Sequence, residues 1–595
     1  MFKIHPYIHS SITLVMLLAA CGFEEPSVEV SPETLPVRVD IIAPPTARLA
    51  EPERVVEWVE YGASEQGTPA LVSMVTDGNG DLFQMVTTFG SQIPESNFFQ
   101  LGHLEFYALN KGQQFLFKLD GSDGSVLWHQ ELPCNVVEWE DDAEFAFCAN
   151  HYWVTATQNG DAMVVGQSYN SERERRDWYL EDMADAESID HAHAMVARFD
   201  GTDGAELWRH HMPGRIEFSA GAVDKDDNII VGGIYFPPVS FDGSPLDTNA
   251  PMERVSLSVV AKYSGDTGEY IWSKPIANAT NPAEATDVIS MGIDDVRTGP
   301  DGGIYICGPF SETMDFGIAE LQPMVNAENM DVDVYVTRLE SSDGASTWVR
   351  QFGRNQWEAC LGLSIYPHKS QPLMMAYQSR WMANTEGLGL PVLVDDEGDD
   401  FNSNFRSEDY QMLLTLEPGS GEIMSYTAIE DTAFSRLTTR LGYGWGSPSR
   451  NIAIDNENGH VAFTIGGLRS DGRQAGDTHS IGDFEFIWES DSPNGINVLL
   501  AMDTAHQSVA AWGTWADYSS CGSARGALIF SQEFTDLGEL IVSGICYCKT
   551  EFAGEILCDP EDNYFDNASF NELNRAFVLK LDYQRAIELY QASEN

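Results

Sequence analysis

Oxygen-bearing side chains are spaced for possible metal binding at two places in the sequence. These are Asp224, Asp226 and Asn228, and the dense carboxylate run that holds Asp395, Asp396, Asp399 and Asp400. Alternating oxygen ligands begin a calcium loop, but such a loop ends on a bidentate Glu, and Ile229–Gly233 follows the first set as a predicted strand. We therefore interpret the first set as a turn and keep calcium as the alternative at both places. No other cofactor is predicted.

Eight of the nine cysteines lie in the body of the chain, and the ninth is Cys21. An even number in an exported protein favours disulfides. Proximity in sequence favours Cys134 with Cys148, and elimination leaves Cys307 with Cys360. The remaining four form a local cluster of Cys521, Cys546, Cys548 and Cys558. A metal site at Cys546-Tyr547-Cys548 is the alternative, although structural zinc prefers two to four residues between its thiolates.

Sequence signatures of catalysis are absent. The chain has no Gly-x-Ser-x-Gly, no His-Glu-x-x-His and no phosphate-binding Gly-Lys-Ser/Thr loop. His191 and His193 alternate, but zinc or copper needs three or four convergent ligands. We expect a binding protein without enzymatic activity. An enzyme whose acidic residues are hidden among the 92 carboxylates is the alternative.

The N-terminal segment predicts export and lipidation. Lys3 provides a positive charge, and the apolar run Ile12–Ala20 is too short to span a bilayer. Leu18-Ala-Ala-Cys21-Gly22 has the small-residue pattern of a lipobox, so we expect a signal peptide over 1–20 and a lipid on Cys21. A signal peptide with an incidental cysteine is the alternative. Residues 21–53 are rich in Pro and Glu, which predicts an extended tether about 100 Å long at most.

The net charge of −59 excludes two classes of partner. Nucleic acid and anionic lipid headgroups would both be repelled by a chain with a sequence pI near 4.2. Cations, basic proteins and neutral glycans stay available as ligands. With 43% hydrophobic residues, the chain is also too apolar to be disordered throughout.

One phrase recurs along the body of the chain. It is clearest as Phe115-Leu-Phe-Lys-Leu-Asp-Gly-Ser-Asp-Gly-Ser-Val-Leu-Trp128 and predicts a strand, a polar turn with Gly, and a second strand that contains an aromatic residue. Three further clear copies end at Trp208, Trp272 and Trp348, and weaker copies end at Ser425, Ala511 and Tyr590. The turn glycines of the clear copies are Gly124, Gly204, Gly268 and Gly344.

A second hairpin precedes each phrase, as in Ala222–Gly233 and Gly299–Cys307. Two hairpins make four antiparallel strands, which is one propeller blade. The seven copies predict an all-β, seven-bladed β-propeller over residues 54–595. Six blades, eight blades and tandem β-sandwiches are the alternatives. The expected blades span 64–133, 134–213, 214–277, 278–353, 354–430, 431–516 and 517–595.

The phrase and its upstream hairpin resemble the repeat of SBBP-type β-propellers. They are also similar to the PQQ repeat of the quinoprotein-like superfamily, which shares the turn and the Trp. This resemblance implies blade architecture and not an activity. Quinone-dependent dehydrogenases of that superfamily carry adjacent cysteines against the cofactor, and this chain has none. Val55–Tyr61 resembles an isolated outer strand, which we expect to close the ring on the last blade.

The extra length of almost every repeat falls between its second and third strands, so the insertions are predicted to emerge on one face of the ring. These loops hold Trp178, Tyr179, Trp381 and Trp488 beside carboxylates. Aromatic and acidic side chains suit the binding of a glycan or protein, and pinning the loops onto the body is the alternative role. We expect an outer-membrane lipoprotein with a protein or polysaccharide partner. An accessory lipoprotein of outer-membrane assembly and a propeller enzyme are the alternative functions.

Overall fold

A computed structural model describes most of the chain from Val56 onward. The described residues are 56–64, 68–89, 98–101, 104–107, 113–133, 136–139, 142–148, 150–169, 192–213, 216–235, 239–241, 244–246, 257–279, 292–323, 332–353, 358–365, 372–380, 409–432, 452–455, 458–468, 478–481, 484–487, 496–502, 508–513, 515–516, 527–535, 537–546, 550–552, 555–557, 575–585 and 587–588.

Nearly all of these residues are in strands or tight turns, and 583–585 and 587–588 are helical. In chain order the strands are β1 (Val56–Ser64), β2 (Thr68–Thr76), β3 (Leu82–Phe89), β4 (Phe98–Leu101), β5 (Leu104–Tyr107), β6 (Gln114–Leu119), β7 (Val126–Glu131), β8 (Val136–Trp139), β9 (Asp142–Cys148), β10 (Asn150–Ala156), β11 (Ala162–Tyr169), β12 (Ala192–Phe199), β13 (Glu206–Pro213) and β14 (Ile216–Val223). They continue with β15 (Ile229–Tyr235), β16 (Ser240–Phe241), β17 (Ser244–Pro245), β18 (Leu257–Tyr263), β19 (Tyr270–Pro275), β20 (Asn278–Ala279), β21 (Asp295–Thr298), β22 (Gly303–Phe310), β23 (Met314–Asp315), β24 (Glu320–Leu321), β25 (Asp333–Glu340), β26 (Ser346–Phe352), β27 (Glu358–Ile365) and β28 (Leu373–Arg380). The last are β29 (Asp409–Leu416), β30 (Ile423–Thr432), β31 (Ile452–Ile454), β32 (Val461–Leu468), β33 (Thr478–Ile481), β34 (Phe484–Ile487), β35 (Ile496–Met502), β36 (Ser508–Gly513), β37 (Trp515–Ala516), β38 (Ala527–Phe534), β39 (Leu540–Cys546), β40 (Thr550–Phe552), β41 (Glu555–Leu557) and β42 (Arg575–Leu581).

Seven four-stranded antiparallel blades account for 28 of these strands. Blades 1 to 7 are, from the inner to the outer strand, β2-β3-β6-β7, β10-β11-β12-β13, β14-β15-β18-β19, β21-β22-β25-β26, β27-β28-β29-β30, β31-β32-β35-β36 and β38-β39-β42-β1. The inner strands of successive blades contact one another, and β38 of blade 7 contacts β2 of blade 1. The chain is therefore a closed seven-bladed β-propeller, which confirms the predicted fold.

The hydrophobic pattern of the strands follows from this arrangement. Each middle strand lies between two neighbouring blades, so both of its faces are buried, and β6, β15 and β18 have every side chain buried. Outer strands have one solvent-facing side, and in β7 Trp128 is buried while Leu127 and His129 are exposed. This explains why the first strand of each repeated phrase is almost continuously apolar, whereas its second strand alternates.

The first strand of the body completes the last blade. β1 pairs antiparallel with β42, from Val56 opposite Leu581 to Gly62 opposite Ala576, and this pairing confirms that the Val55–Tyr61 region closes the ring. The seventh copy of the phrase was predicted to end at Tyr590, which lies outside the described residues. After β42, residues 583–585 and 587–588 are helical, and the outer strand of blade 7 is β1. The Trp of this blade, Trp58, therefore comes from the beginning of the chain.

Candidate functional site

The two faces of the ring differ in the length of their connections. On the face where first strands begin and second strands end, here called the elaborated face, hairpins extend beyond the blades. Between second and third strands lie β4-β5, β16-β17, β23-β24, β33-β34 and β40-β41. β8-β9 lies between blades 1 and 2 on the same face, and β20 and β37, also between blades, pair with β23 and β40.

On the opposite face, here called the short-turn face, the described connections are tight turns within each blade, and side chains of the preceding blade bind to them. The indole Nε1 of Trp128 donates to the backbone oxygen of Gly201 in the next blade, at 3.0 Å. Trp208 and Trp272 make equivalent bonds to Gly265 and Ser341. The others are Trp348 to Pro418 and Trp58 to Gly121. Each predicted blade-motif Trp thus lies against the third-to-fourth-strand turn of the following blade.

Buried cations strengthen the same junctions. Lys118 forms ion pairs with Asp77 at 2.8 Å and Asp81 at 3.1 Å, and it donates to the Gly201 oxygen that Trp128 also binds. Arg198, Lys262 and Lys580 repeat this arrangement in blades 2, 3 and 7. Arg338 in blade 4 pairs with Asp301 and Glu340. Each of these five cations forms an ion pair with at least one carboxylate, so its positive charge is neutralised.

The titration behaviour of these pairs reflects two opposing effects. Burial disfavours the charged form of Lys118, but hydrogen bonds and the charges of Asp77 and Asp81 outweigh it, so its pKa is raised. For Asp224, burial opposes ionisation, but hydrogen bonds from Lys262 and from the backbone of Asp226 and Asn228 outweigh it and lower the pKa. Lys118 and Asp224 are therefore both charged at neutral pH.

A small cavity lies where four inner strands meet. Ser73, Trp153, Thr155, Ala220 and Asp295, from blades 1 to 4, contribute to its lining. Its volume of about 20 Å³ suits about one water molecule. Small-molecule sites commonly have about 300–1,000 Å³. This cavity is therefore too small for a cofactor of ordinary size.

Polar side chains connect the inner strands around this cavity. Ser73 Oγ accepts a hydrogen bond from the backbone nitrogen of Val154 at 3.2 Å. Asp295 likewise accepts from the backbone nitrogen of Leu363 at 2.8 Å, and it pairs with Arg297 at 3.1 Å. Asp295 is thus engaged in joining blades 4 and 5. The sequence analysis missed this residue because a single Asp in a short strand carries no spacing pattern.

Several predicted site residues lie outside the described residues. These are the lipidation site Cys21, the aromatic residues Trp178, Tyr179, Trp381 and Trp488, and the acidic residues Asp395, Asp396, Asp399 and Asp400. Their roles stay predictions. Within the described part of the chain, no group of three or more His, Cys, Asp or Glu side chains is arranged to hold a metal ion. In that part, too, no helix is long and apolar enough to cross a membrane.

The first calcium candidate occupies a tight turn on the short-turn face. Asp224 Oδ1 accepts hydrogen bonds from the backbone nitrogens of Asp226 and Asn228, at 2.9 and 3.0 Å. Asp224 Oδ2 lies 2.6 Å from Lys262 Nζ. Calcium at Asp224 stays a prediction, and it would require the cation to replace this ammonium group. Asp227, in the same turn, has a φ of 59° and accepts hydrogen bonds from Gln158 and Asn159 of blade 2.

Two cysteines form a disulfide between blades. Cys307 of β22 is bonded to Cys360 of β27, which is the pair that elimination predicted, and it joins blades 4 and 5. Cys546, at the end of β39, is also disulfide-bonded. Cys148 ends β9, while Cys134, Cys521, Cys548 and Cys558 lie outside the described residues. The pairing of these cysteines stays a prediction.

The cations of the third strands are structural features of the fold that the sequence analysis did not identify. Each directly precedes an apolar residue at the end of a third strand, as in Lys118-Leu119, Arg338-Leu339 and Lys580-Leu581. A basic residue at this position recurs in five copies of the phrase, namely Lys118, Arg198, Lys262, Arg338 and Lys580. The repeat therefore contained a signal for a structural ion pair, and it could have been found by comparing polar positions as well as apolar ones.

Comparison with known proteins gives a likeness in fold alone. No protein-family model matches the chain, and neither does any curated protein. Among solved structures, it is similar to the quinohemoprotein alcohol dehydrogenase of Comamonas testosteroni, at 11% identity and a TM-score of 0.36, over 91% of this chain and 78% of that one. BamB of Moraxella catarrhalis is similar at 9% identity and a TM-score of 0.31, over 86% of this chain and all of that one.

A protein of unknown function from Dyadobacter fermentans is similar at 10% identity and a TM-score of 0.36, over 89% of this chain and 99% of that one. Such low scores carry no argument about activity, so the fold rests on this chain's own blades and turns. Those blades confirm the predicted likeness to PQQ-repeat propellers at the level of the fold.

Proposed function

We propose that the protein is a membrane-anchored, extracytoplasmic scaffold whose elaborated face binds a protein or polysaccharide. The observation that carries this proposal is the asymmetry of the ring. The added hairpins project from one face, whereas the described turns of the other face are tight and tied to their neighbouring blades. A rigid ring with elaborated connections on one side is suited to present a binding surface, because binding loops are positioned best by a rigid scaffold.

The anchor in this proposal is the lipid on Cys21. Several acyl chains, each contributing about 0.8 kcal/mol per buried methylene, would hold the protein firmly on a membrane surface. Gly22 follows the cysteine, where an Asp would favour inner-membrane retention, so we place the protein at the outer membrane. The 21–53 tether would let the body stand clear of the lipid, which suits a chain of net charge −59 that anionic headgroups repel.

Recognition on the elaborated face is favoured over a site in the cavity among the inner strands of blades 1 to 4. That cavity has room for about one water molecule, and its Asp295 carboxylate is already bound by Leu363 and Arg297. We therefore expect the ligand to be a macromolecule that contacts several hairpins and is bound without being converted to a product.

The test blocks one face at a time. Ile318 is about half exposed at the tip of the β23-β24 hairpin on the elaborated face, and Leu537 is 71% exposed in a turn on the short-turn face. The body from residue 51 onward, carrying Ile318→Cys or Leu537→Cys with a bulky maleimide polymer, is used to capture partners from detergent-solubilised envelope. We expect the polymer at Ile318 to abolish capture and the polymer at Leu537 to leave it intact.

A variant with shortened loops around Trp178 and 395–400 extends the test to the long insertions. Loss of the same partner supports the proposal, and the partner identifies the process. Recovery of outer-membrane assembly components would favour the accessory-factor alternative. If capture survives the block at Ile318 and the loop shortening but fails with the block at Leu537, the binding face has been assigned to the wrong side.

A further inference from the structure

The strand that closes the ring is also the strand through which the chain enters the body. Val56 of β1 pairs with Leu581, the last residue of β42, so this end of β1 lies at the short-turn face. The other end, Ser64, pairs with Phe99 of the β4-β5 hairpin on the elaborated face. The N-terminal segment therefore joins the body at the short-turn face, opposite to the proposed binding surface.

From this geometry we infer that β1 is a clasp that carries tension between the membrane anchor and a partner held on the elaborated face. This inference rests on the proposed function. A pull from the tether toward the membrane acts at Val56, and the opposing pull of the partner acts at the far end of the blades. The two pulls therefore act from opposite ends of β1. Force along a strand loads all of its hydrogen bonds together, whereas force across the strand breaks them one pair at a time.

The loaded end of β1 is attached by side chains as well as by its backbone. Trp58 is buried, with 8% of its surface exposed, and its indole donates to the Gly121 oxygen of blade 1 at 3.3 Å. Lys580 of β42 pairs with Glu57 at 3.0 Å and donates to the same Gly121 oxygen at 3.1 Å. These contacts join β1, β42 and the turn of blade 1 at the point where the tether would pull.

At the inner edge of the junction between blades 7 and 1, β38 contacts β2. At the position where Ser73 and Asp295 bind the next blade, blade 7 has Ser531. Ser531 and the facing Ser543 are both buried, and neither hydroxyl has a hydrogen-bond partner. Thr76 still donates to the Phe534 oxygen at 3.2 Å. At the outer side of the same junction, β1 joins β42 to the turn of blade 1 through its backbone pairing and through Trp58.

Single-molecule force spectroscopy on the whole mature chain tests the clasp. One handle replaces the lipid at Cys21, and the second is attached through Ile318→Cys on the elaborated face or Leu537→Cys on the short-turn face. We expect the first rupture to need a several-fold higher force with the handle at residue 318 than at residue 537, because the second attachment pulls β1 across its axis. Equal rupture forces would overturn the inference.

A matched pair of variants separates the clasp from general stability. Trp58→Ala is compared with Trp272→Ala, since Trp272 has a similar exposure of 9% and the same kind of bond to the next blade, but lies in blade 3. We expect Trp58→Ala to lower the first rupture force markedly and Trp272→Ala to leave it nearly unchanged. Equal losses would contradict the clasp. The measurement needs no lipid and no partner, so its failure is distinguishable from failure of the proposed function.

Discussion

The junction between Trp128 and Gly204 offers a quantitative test of how tightly the blades are packed. A Cβ atom added at Gly204 would lie 2.7 Å from Trp128 Cε3 and 2.9 Å from Cδ2, which is closer than real Cβ atoms approach a ring. Gly80 provides the control, because its φ of 89° is also left-handed but an added Cβ there would have no neighbour within 4 Å. Gly204 itself has a φ of 74°.

Gly80→Ala and Gly204→Ala therefore share one energetic cost and differ in another. An L-residue in the left-handed region costs about 1–2 kcal/mol at either position. Crowding of a packed side chain adds about 1–3 kcal/mol at Gly204 alone. We expect the free energy of unfolding to fall by about 1–2 kcal/mol in Gly80→Ala and by about 2–5 kcal/mol in Gly204→Ala.

Equilibrium unfolding in urea, followed by Trp fluorescence and circular dichroism, measures both variants. The added cost at Gly204 should shrink when Trp128 is also replaced by Ala, since the ring that the new methyl group meets is then gone. Equal losses in the two single variants, or no change in that cost without the indole, would show that Trp128 moves aside freely. Either result would refute tight docking of Trp128 against the turn of the next blade.

Three further predictions concern other contacts of the blades. Replacing Cys307 and Cys360 by Ser opens a span of 53 residues, and we expect a loss of about 4 kcal/mol in unfolding free energy, measured in urea without reductant. Asp224→Asn leaves Lys262 buried without its charged partner, and we expect a loss of about 3 kcal/mol at pH 7. Because the pKa of Asp224 is lowered by folding, this carboxylate stabilises the protein above about pH 4 and loses that effect in acid, so the gap between variant and wild type should narrow below pH 4 in a pH series of urea midpoints. Since Lys262 already occupies the Asp224 carboxylate, a calcium chelator should leave the thermal midpoint unchanged, and a clear downward shift would instead support a bound cation.

The propeller could be predicted because each repeat is marked by a short, contiguous sequence pattern. A third strand buried on both faces, a turn with Gly, and an outer strand with Trp recur in each clear copy, and each feature has a local cause. The closing strand was also recognisable, because Val55–Tyr61 resembles an outer strand such as Thr347–Phe352. The missing aromatic residue of the seventh copy could not be located within that copy, because Trp58 reaches it from the opposite end of the chain.

The elaborated face was predicted only in outline. Insertion lengths indicated the face, but two-residue strands such as Asn278–Ala279 and Trp515–Ala516 have no periodicity that a sequence can reveal. Their pairing with hairpins of the next blade depends on the ring bringing them together. The same holds for Asp295, whose partner Leu363 belongs to the next blade.

The pairing of β1 with β42 also fixes the order in which the molecule can be completed. β1 is the first of the described strands to be synthesised, yet β42, the strand that it pairs with, is the last of them. Blade 7 has no outer strand until these two meet, so the emerging chain must keep an exposed strand edge from pairing wrongly through almost the whole of its synthesis. Placing Val56–Ser64 behind Leu581 by circular permutation would turn this distant pairing into a local hairpin, and a ring of the same architecture would then assemble faster.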